Sequence, residues 1–373
     1  MKVQQNKIII SGGGTGGHIF PALAIANAIK ELEPTADILF VGAEGKMEMQ
    51  RVPDAGYPIK GLPVMGFNRS QLWKNFKVIY QLLKSQRLAR KIIKDFQPDV
   101  AVGVGGYASG PTLNVASKMK IPTLIQEQNS YAGVTNKLLG KKAKLICVAY
   151  PNMERFFPQE KIILTGNPVR QNLLNNQVTK QEALQQLNLS PNKKTILIIG
   201  GSLGAQSINE SIIEQLDLIR KHKDIQFLWQ TGKLYFERIE ALLQTKPAIQ
   251  NLQIRAFIQE MDVAYAATDL IISRAGAGSI SEFCLLKKAV ILVPSPNVAE
   301  DHQTQNALSL VNQKAALYIK DSEAKKELVP FAIQSIENHQ LLNELRENIA
   351  KLALPNSATI IAKEVLKLAN KQK

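Results

Sequence analysis

No stretch of the sequence approaches the roughly 20 consecutive apolar residues of a membrane span, so any membrane contact is expected to be peripheral and the protein cytoplasmic. The opening MKVQQNKIII turns β-like too quickly to suit a signal peptide. Cysteine is nearly absent. Cys147 and Cys284, both in apolar surroundings, suit buried free thiols and exclude a disulfide framework or a zinc spacing. Acidic residues are in deficit, 31 against 46 basic ones, and the net charge of +15 favours an anionic partner. The deficit is sharpest from Arg69 to Lys94, where eight basic residues (Arg69, Lys74, Lys77, Lys84, Arg87, Arg90, Lys91 and Lys94) meet no acidic one. Phe67, Leu72, Trp73, Phe76, Ile79, Tyr80, Leu82, Leu83 and Leu88 are interleaved with them. That mixture resembles an interfacial helix on anionic lipid. The same residues also suit an ordinary helix with a solvated basic face and its apolar side in the core. Nucleic acid is not expected as the partner, because no nucleic-acid-binding motif accompanies the charge.

What is present is enough chain, 373 residues, for two domains that each bury a core. Short apolar runs alternate with helix-like segments, the pattern of an α/β protein with a parallel sheet and crossover helices. Strands are predicted at Lys7–Ser11, Ile38–Val41, Val100–Val104, Thr123–Gln126, Leu145–Ala149 and Ile162–Thr165. A polar stretch follows from Asn175 to Lys194. The pattern then restarts at Thr195–Ile199 and continues through Gln226–Trp229, Gln253–Phe257, Leu270–Ser273, Val290–Val293 and Ala316–Ile319. The restart implies a second doubly wound domain, with Gly166-Asn167-Pro168 as the expected hinge. The expected division is 1–166, 167–354 and a tail of 355–373, set off by Pro355, whose helix can pack back on the first domain.

The opening loop, SGGGTGGHIFPAL (11–23), carries Gly12, Gly14 and Gly17 at the G-x-G-x-x-G spacing of a dinucleotide site. It also carries Thr15 and His18, which a loop built only to admit a pyrophosphate does not need. Three further glycine loops follow predicted strands: VGVGGYASGP (102–111), IIGGSLGAQSIN (198–209) and SRAGAGSISE (273–282). Each places backbone N–H groups at a helix N-terminus, where they can hold a phosphate or a developing negative charge. One such loop is also just what a tight turn needs. Four at strand C-ends, spread over both halves, are stronger evidence of a ligand site, and two facing sheets would put the loops around one interdomain cleft. An NAD(P)-dependent oxidoreductase would use the first loop, with Glu44 as the ribose acid, but leaves the loops at 200–204 and 275–279 without a task.

The set GGGTGGH (12–18), GGYASGP (105–111), QEQN (126–129), GNPVR (166–170), GGSLGA (200–205), SRAGAGSISE (273–282) and EDHQTQNA (300–307) is similar to the MurG family of bacterial peptidoglycan N-acetylglucosaminyltransferases. The resemblance covers nearly the whole chain, with its motifs in order. It implies a GT-B fold, two Rossmann-like doubly wound domains facing an interdomain cleft. It also implies transfer of GlcNAc from UDP-GlcNAc to the C4 hydroxyl of MurNAc in lipid I, with inversion, at the cytoplasmic face of the membrane. Another glycolipid transferase of the same fold, or a non-catalytic binding protein, would share the architecture.

The resemblance assigns roles to particular residues. His18, at a helix start where the dipole favours a neutral imidazole, is the candidate base. His302 in EDHQTQNA and Glu127 in QEQN are the competitors. Ser202 and Arg170 would stabilise the departing UDP. Glu282 would accept the ribose hydroxyls, beyond the loop at Ala277, Gly278 and Ser279. Ile258 would meet uracil through backbone groups, and Gln303 the hydroxyls of GlcNAc. Asn129 would reach donor or acceptor, while Thr15, Gly16 and Gly17 would line the diphosphate or sugar region. The chain has no D-x-D pair of the kind that holds a divalent ion in other transferases, so no metal or other cofactor is expected. The basic stretch at 69–94, in the first domain, would hold the acceptor side on an anionic bilayer.

Overall fold

The structure is a computed structural model that describes residues 5–65, 75–169, 173, 178–201 and 203–370. It divides into two compact units, Met1–Arg170 together with Leu354–Lys373, and Gln171–Ala353. The first unit holds β1 (Lys7–Ser11), β2 (Asp37–Ala43), β3 (Ile59–Leu62), β4 (Val100–Gly103), β5 (Thr123–Glu127), β6 (Leu145–Val148) and β7 (Ile162–Leu164). They form a parallel sheet in the order β3-β2-β1-β4-β5-β6-β7. The uninterrupted Ile8-Ile9-Ile10 run is what a strand covered on both faces requires. Ile8 and Ile10 pack with Ala22, Ile25 and Ile29 of the helix Gly16–Leu32. Ile9 points the other way, into a cluster with Ala89, Ile93 and Ala116.

The second unit holds β8 (Lys194–Ile199), β9 (Ile225–Gln230), β10 (Leu252–Arg255), β11 (Leu270–Ser273), β12 (Val290–Leu292) and β13 (Leu317–Tyr318). Its parallel sheet has the order β10-β9-β8-β11-β12-β13. Phe227 and Trp229 of β9 are fully buried in its core beside Ile196 and Ile198. The indole N–H of Trp229 donates to Asn209 Oδ1 at 3.0 Å, so the largest core ring carries no unsatisfied polar atom.

Strand order reverses between β1 and β4 in one sheet and between β8 and β11 in the other. The four glycine loops are the connections leaving those four strands. Each sheet therefore has two of them flanking its switch point, the place where open α/β sheets bind ligands.

The helix Ser357–Asn370 belongs to the first unit. Ala358, Ile361, Ala362, Val365 and Ala369, one stripe at helical spacing, pack on Ala22, Ile25, Ala26 and Ile29. The helix Asn75–Phe96 covers the other face. It sends Ala89, Ile92 and Ile93 into the core, yet Ile79, Tyr80, Leu82 and Leu83 remain 42–65% exposed. Lys84, Arg87, Arg90, Lys91 and Lys94 are exposed along the same helix. Its apolar residues are thus not simply its core side. Arg69, Lys74, Phe67, Leu72 and Trp73 lie outside the described residues. Among the described residues, no helix is long and apolar enough to cross a membrane.

Candidate active site

In the first unit the β1 and β4 loops interlock. A Cβ on Gly106 (φ +83°) would lie 2.2 Å from the Gly13 carbonyl oxygen, so only glycine lets the two backbones approach this closely. Thr15 is the extended residue preceding the helix Gly16–Leu32, and Gly16 and Gly17 form its first turn. Their amides have no partner within the helix. His18 is third in that helix. Its Nδ1 lies 3.0 Å from the carbonyl oxygen of Val104, the first residue after β4. A carbonyl only accepts, so Nδ1 carries the proton, and in the neutral ring the lone pair is on Nε2.

Glu48 was not singled out by the sequence, because it sits beyond β2 rather than in any glycine motif. Buried, it accepts from the Gly14 amide at 2.8 Å and the Ala43 amide at 2.9 Å. The carboxylate thus occupies an amide that a dinucleotide pyrophosphate would use, and it would repel that anion. This weighs against the redox reading of the opening loop.

Glu127 ends β5 and is 3% exposed. Its Oε1 accepts from the Asn129 amide at 3.0 Å and from Asn129 Nδ2 at 3.4 Å. Its Oε2 accepts from the Gly133 amide at 3.1 Å and from Asn136 Nδ2 at 2.8 Å. The carboxylate is thus held by donors from three residues, all in the loop and helix that follow β5. The geometry suits a residue that shapes the loop bearing Asn129. His18, Thr15, Gly16, Gly17, Glu127 and Asn129 all belong to the C-terminal edge of the first sheet.

The second unit brings together another set. The β8 and β11 loops line a cavity of about 520 Å³ with Gly200, Gly201, Ser207, Arg274, Gly276, Ser279, Gln303 and Asp321 among its walls. A groove of about 580 Å³ lies outside it against the helices Gln206–Glu214 and Phe236–Gln244, but no glycine loop borders it. Ala277, Gly278 and Ser279 form the first turn of the helix Ala277–Leu285, and Glu282 follows within it. The Tyr265 hydroxyl donates to Glu282 Oε2 at 2.9 Å, fixing the carboxylate. Gln303 Oε1 accepts from the Ser295 amide at 2.9 Å. His302 opens the helix His302–Val311 behind Glu300 and Asp301, both left-handed (φ 57° and 47°).

Two further residues carry this site. Arg274 donates to Asp321, to Ser207 Oγ at 2.9 Å and to the carbonyls of Val293 and Pro294 at 3.0 and 3.2 Å. Its charge is therefore spent on welding loops together. Gln230, the last residue of β9, donates to the Gly201 carbonyl at 3.1 Å and accepts from the Ile258 amide at 2.8 Å. It ties the β8 loop to the peptide expected to meet uracil. Nothing in the sequence distinguished Gln230 from its polar neighbours, whereas Arg274 stood inside a quoted glycine loop. Arg170 and Ser202 lie outside the described residues.

Two parallel sheets of seven and six strands, each carrying paired glycine loops at its switch point, make this a GT-B fold. The crystal structure of the calicheamicin glycosyltransferase CalG4 shares it, with a TM-score of 0.73 at 14% identity over 99% of this chain and 100% of that one. Acinetobacter baumannii MurG is nearer, with a TM-score of 0.78 and 30% identity over 97% of this chain and 99% of that one. The glycosyltransferase family 28 N-terminal domain matches residues 8–148, and its C-terminal domain matches residues 195–364. The UDP-N-acetylglucosamine–N-acetylmuramyl-(pentapeptide) pyrophosphoryl-undecaprenol N-acetylglucosamine transferase of Bacteroides fragilis is 65% identical over 97% of this chain and 96% of its own length. The chain belongs to glycosyltransferase family 28, in its MurG branch.

Proposed function

We propose that the chain transfers GlcNAc from UDP-GlcNAc to the C4 hydroxyl of MurNAc in lipid I, with inversion, forming lipid II for peptidoglycan synthesis. The observation that carries the chemistry is the His18 Nδ1 contact with the Val104 carbonyl at 3.0 Å. It fixes a tautomer whose Nε2 can take a proton. In this reading the acceptor hydroxyl gives its proton to Nε2 as its oxygen attacks the anomeric carbon. The bond from that carbon to the UDP oxygen breaks on the opposite face, and the electron pair leaves with the diphosphate. Inversion follows from the single displacement.

The first unit takes the acceptor in this reading, and the second takes the donor. Amides of the β8 and β11 loops receive the developing charge on the diphosphate, with Arg170 and Ser202 assigned to the same task. Glu282 accepts the ribose hydroxyls. The Ile258 amide is already engaged by Gln230, which leaves the carbonyl to meet the uracil imide. Gln303 and Asn129 serve the sugars. The chemical step is proposed to need no metal. Loss of turnover in a chelator with recovery on adding magnesium would refute that.

Membrane attachment is proposed to be peripheral, on the cytoplasmic face, through the helix Asn75–Phe96. Its exposed Ile79, Tyr80, Leu82 and Leu83 support insertion among headgroups, and its basic residues support attraction to anionic lipid. The deciding assay is UDP release with UDP-GlcNAc and a lipid I analogue, run beside UDP-GalNAc. Turnover with the first donor and acceptor together is expected. Release without acceptor, or indifference to the donor sugar, would refute the assignment.

A further inference from the structure

Three primary amide side chains are buried and linked, through the Gln128 backbone, to the carbonyl that holds His18. Gln126 Nε2 donates to Asn167 Oδ1 at 2.9 Å. Asn167 Nδ2 donates to the Gln128 carbonyl at 3.0 Å. Gln128 Nε2 donates to the Val104 carbonyl at 2.9 Å. That is the same carbonyl oxygen to which His18 Nδ1 donates. Gln126, Asn167 and Gln128 are at most 5% exposed, and Val104 is fully buried.

The donor directions are forced rather than chosen. A backbone carbonyl can only accept, so Gln128 must turn its NH2 to Val104 and Asn167 must turn its NH2 to the Gln128 carbonyl. Asn167 is left with an oxygen facing Gln126, which must donate. Buried amides are costly unless paired; the NH2 groups of all three are paired here, although Gln126 Oε1 has no partner among the described residues. The Val104 amide is itself held by the Ser11 carbonyl at 2.9 Å, so both backbone polar groups of Val104 are engaged. Asn167 is also the middle residue of Gly166-Asn167-Pro168, just ahead of the point where the chain leaves the first unit.

We propose that Gln128 and Asn167 are positioning residues of the transfer reaction. They hold the Val104 carbonyl where it keeps His18 in the Nδ1–H form, with the Nε2 lone pair toward the acceptor hydroxyl. Through Asn167 the departing chain segment is wired to the base. The inference rests on the reading of His18 as that base, and the test separates the two.

The test is a double-mutant cycle in the full chain, combining Gln128→Met, which keeps length but loses the donor, with His18→Gln. Turnover is followed by UDP release, and the imidazole tautomer by 15N and 13C NMR of labelled histidine. Gln128→Met alone is expected to lower kcat about tenfold with the KM for UDP-GlcNAc unchanged, and to shift His18 away from the Nδ1–H form. In the His18→Gln background the same substitution should have almost no further effect, because its route of action is gone. Equal losses in both backgrounds, or an unaltered tautomer, would overturn the proposal. Parental turnover by His18→Gln would instead overturn the base itself. Should Gln128→Met fail to fold, Asn167→Asp, which keeps the acceptor for Gln126 and loses the donor, is expected to give the same shift in tautomer, and with it a shifted pH–rate profile. An unshifted profile in that variant would count against the proposal equally.

Discussion

Alanine at position 105 tests whether His18 works from the position in which it is held. Gly105 has φ +91°, a conformation that costs an L residue about 1–2 kcal/mol. A Cβ there would lie 2.8 Å from His18 Cε1 and 2.9 Å from Nδ1. Unstrained contacts need roughly 3.5 Å, so the ring must retreat by about 0.5–1 Å. Nδ1 starts 3.0 Å from the Val104 oxygen, and that retreat carries it to about 3.5–4 Å, outside hydrogen-bond geometry.

A reacting group misplaced by about 1 Å costs on the order of 100-fold in rate, or about 2.7 kcal/mol of activation free energy. The expected result for Gly105→Ala is a loss of that size in kcat, with the KM for UDP-GlcNAc unchanged because the donor is assigned to the other unit. The control is Gly56→Ala. Gly56 has φ +84° and nothing within 4 Å of the added carbon, so it carries the backbone cost without touching the histidine. Thermal melts should show both variants folded, with the larger loss in Gly105→Ala, while UDP release should fall steeply in only that one. Equal kcat in two folded variants would refute the idea that the position of His18 matters.

Other perturbations separate roles that the geometry assigns. Glu127→Gln turns an NH2 toward donors that now bond to an oxygen, so it should cost about 1–3 kcal/mol and lower kcat. The shape of the pH–rate profile should survive, and loss of its acidic limb, where a carboxylate base would titrate, would restore Glu127 as a catalyst. Lys288 is pushed down to about 8, first by burial, then by Arg346, with Asp269 opposing and Lys180 adding. In the folded chain its charged form is therefore penalised below pH 8, and that penalty fades as pH rises from 8 toward the unfolded value of 10.5. Lys288→Met should stabilise the second unit at pH 7 by up to about 3 kcal/mol, an advantage gone by about pH 10. A pH-independent difference in melting temperature would refute this. Replacing Leu82 and Leu83 together by serine should weaken binding to anionic vesicles without moving the melting temperature. Raised salt should weaken the parent protein's binding as well, and binding indifferent to both changes would remove the helix from membrane attachment.

The predicted strands carried apolar runs long enough to be read, such as Ile8-Ile9-Ile10 and Thr195-Ile-Leu-Ile-Ile199, and each has a counterpart in the two sheets. The strand that escaped was β3, Ile59–Leu62, an edge strand whose four residues include Lys60 and Gly61 and show no period of two. Glycine loops were legible because the backbone conformations they need narrow the choice of residue. The partners that make those loops rigid were not. Glu48, Gln230 and Gln128 act through contacts with backbone atoms 24 to 34 residues away in sequence, and local spacing carries no trace of such pairings. Glu127 was visible as an acid after a strand, but the hold on its carboxylate depends on Gly133 and Asn136, which the spacing does not bring to it.

The same blindness explains why the opening loop could be read in two ways. G-x-G-x-x-G describes a backbone that can approach another group closely, without saying which group. In a dinucleotide site that group is a pyrophosphate, and the loop amides must be available to it. Here the Gly14 amide is taken by the Glu48 carboxylate, and Gly106 is drawn against Gly13 so that Val104 can present its carbonyl to His18. The glycines serve the packing of one loop on another, and the product of that packing is an oriented imidazole. The extra histidine in the motif was therefore the informative residue. Its partner, Val104, opens the loop after the neighbouring strand across the switch point, so the chemistry belongs to the pair of loops rather than to either motif alone.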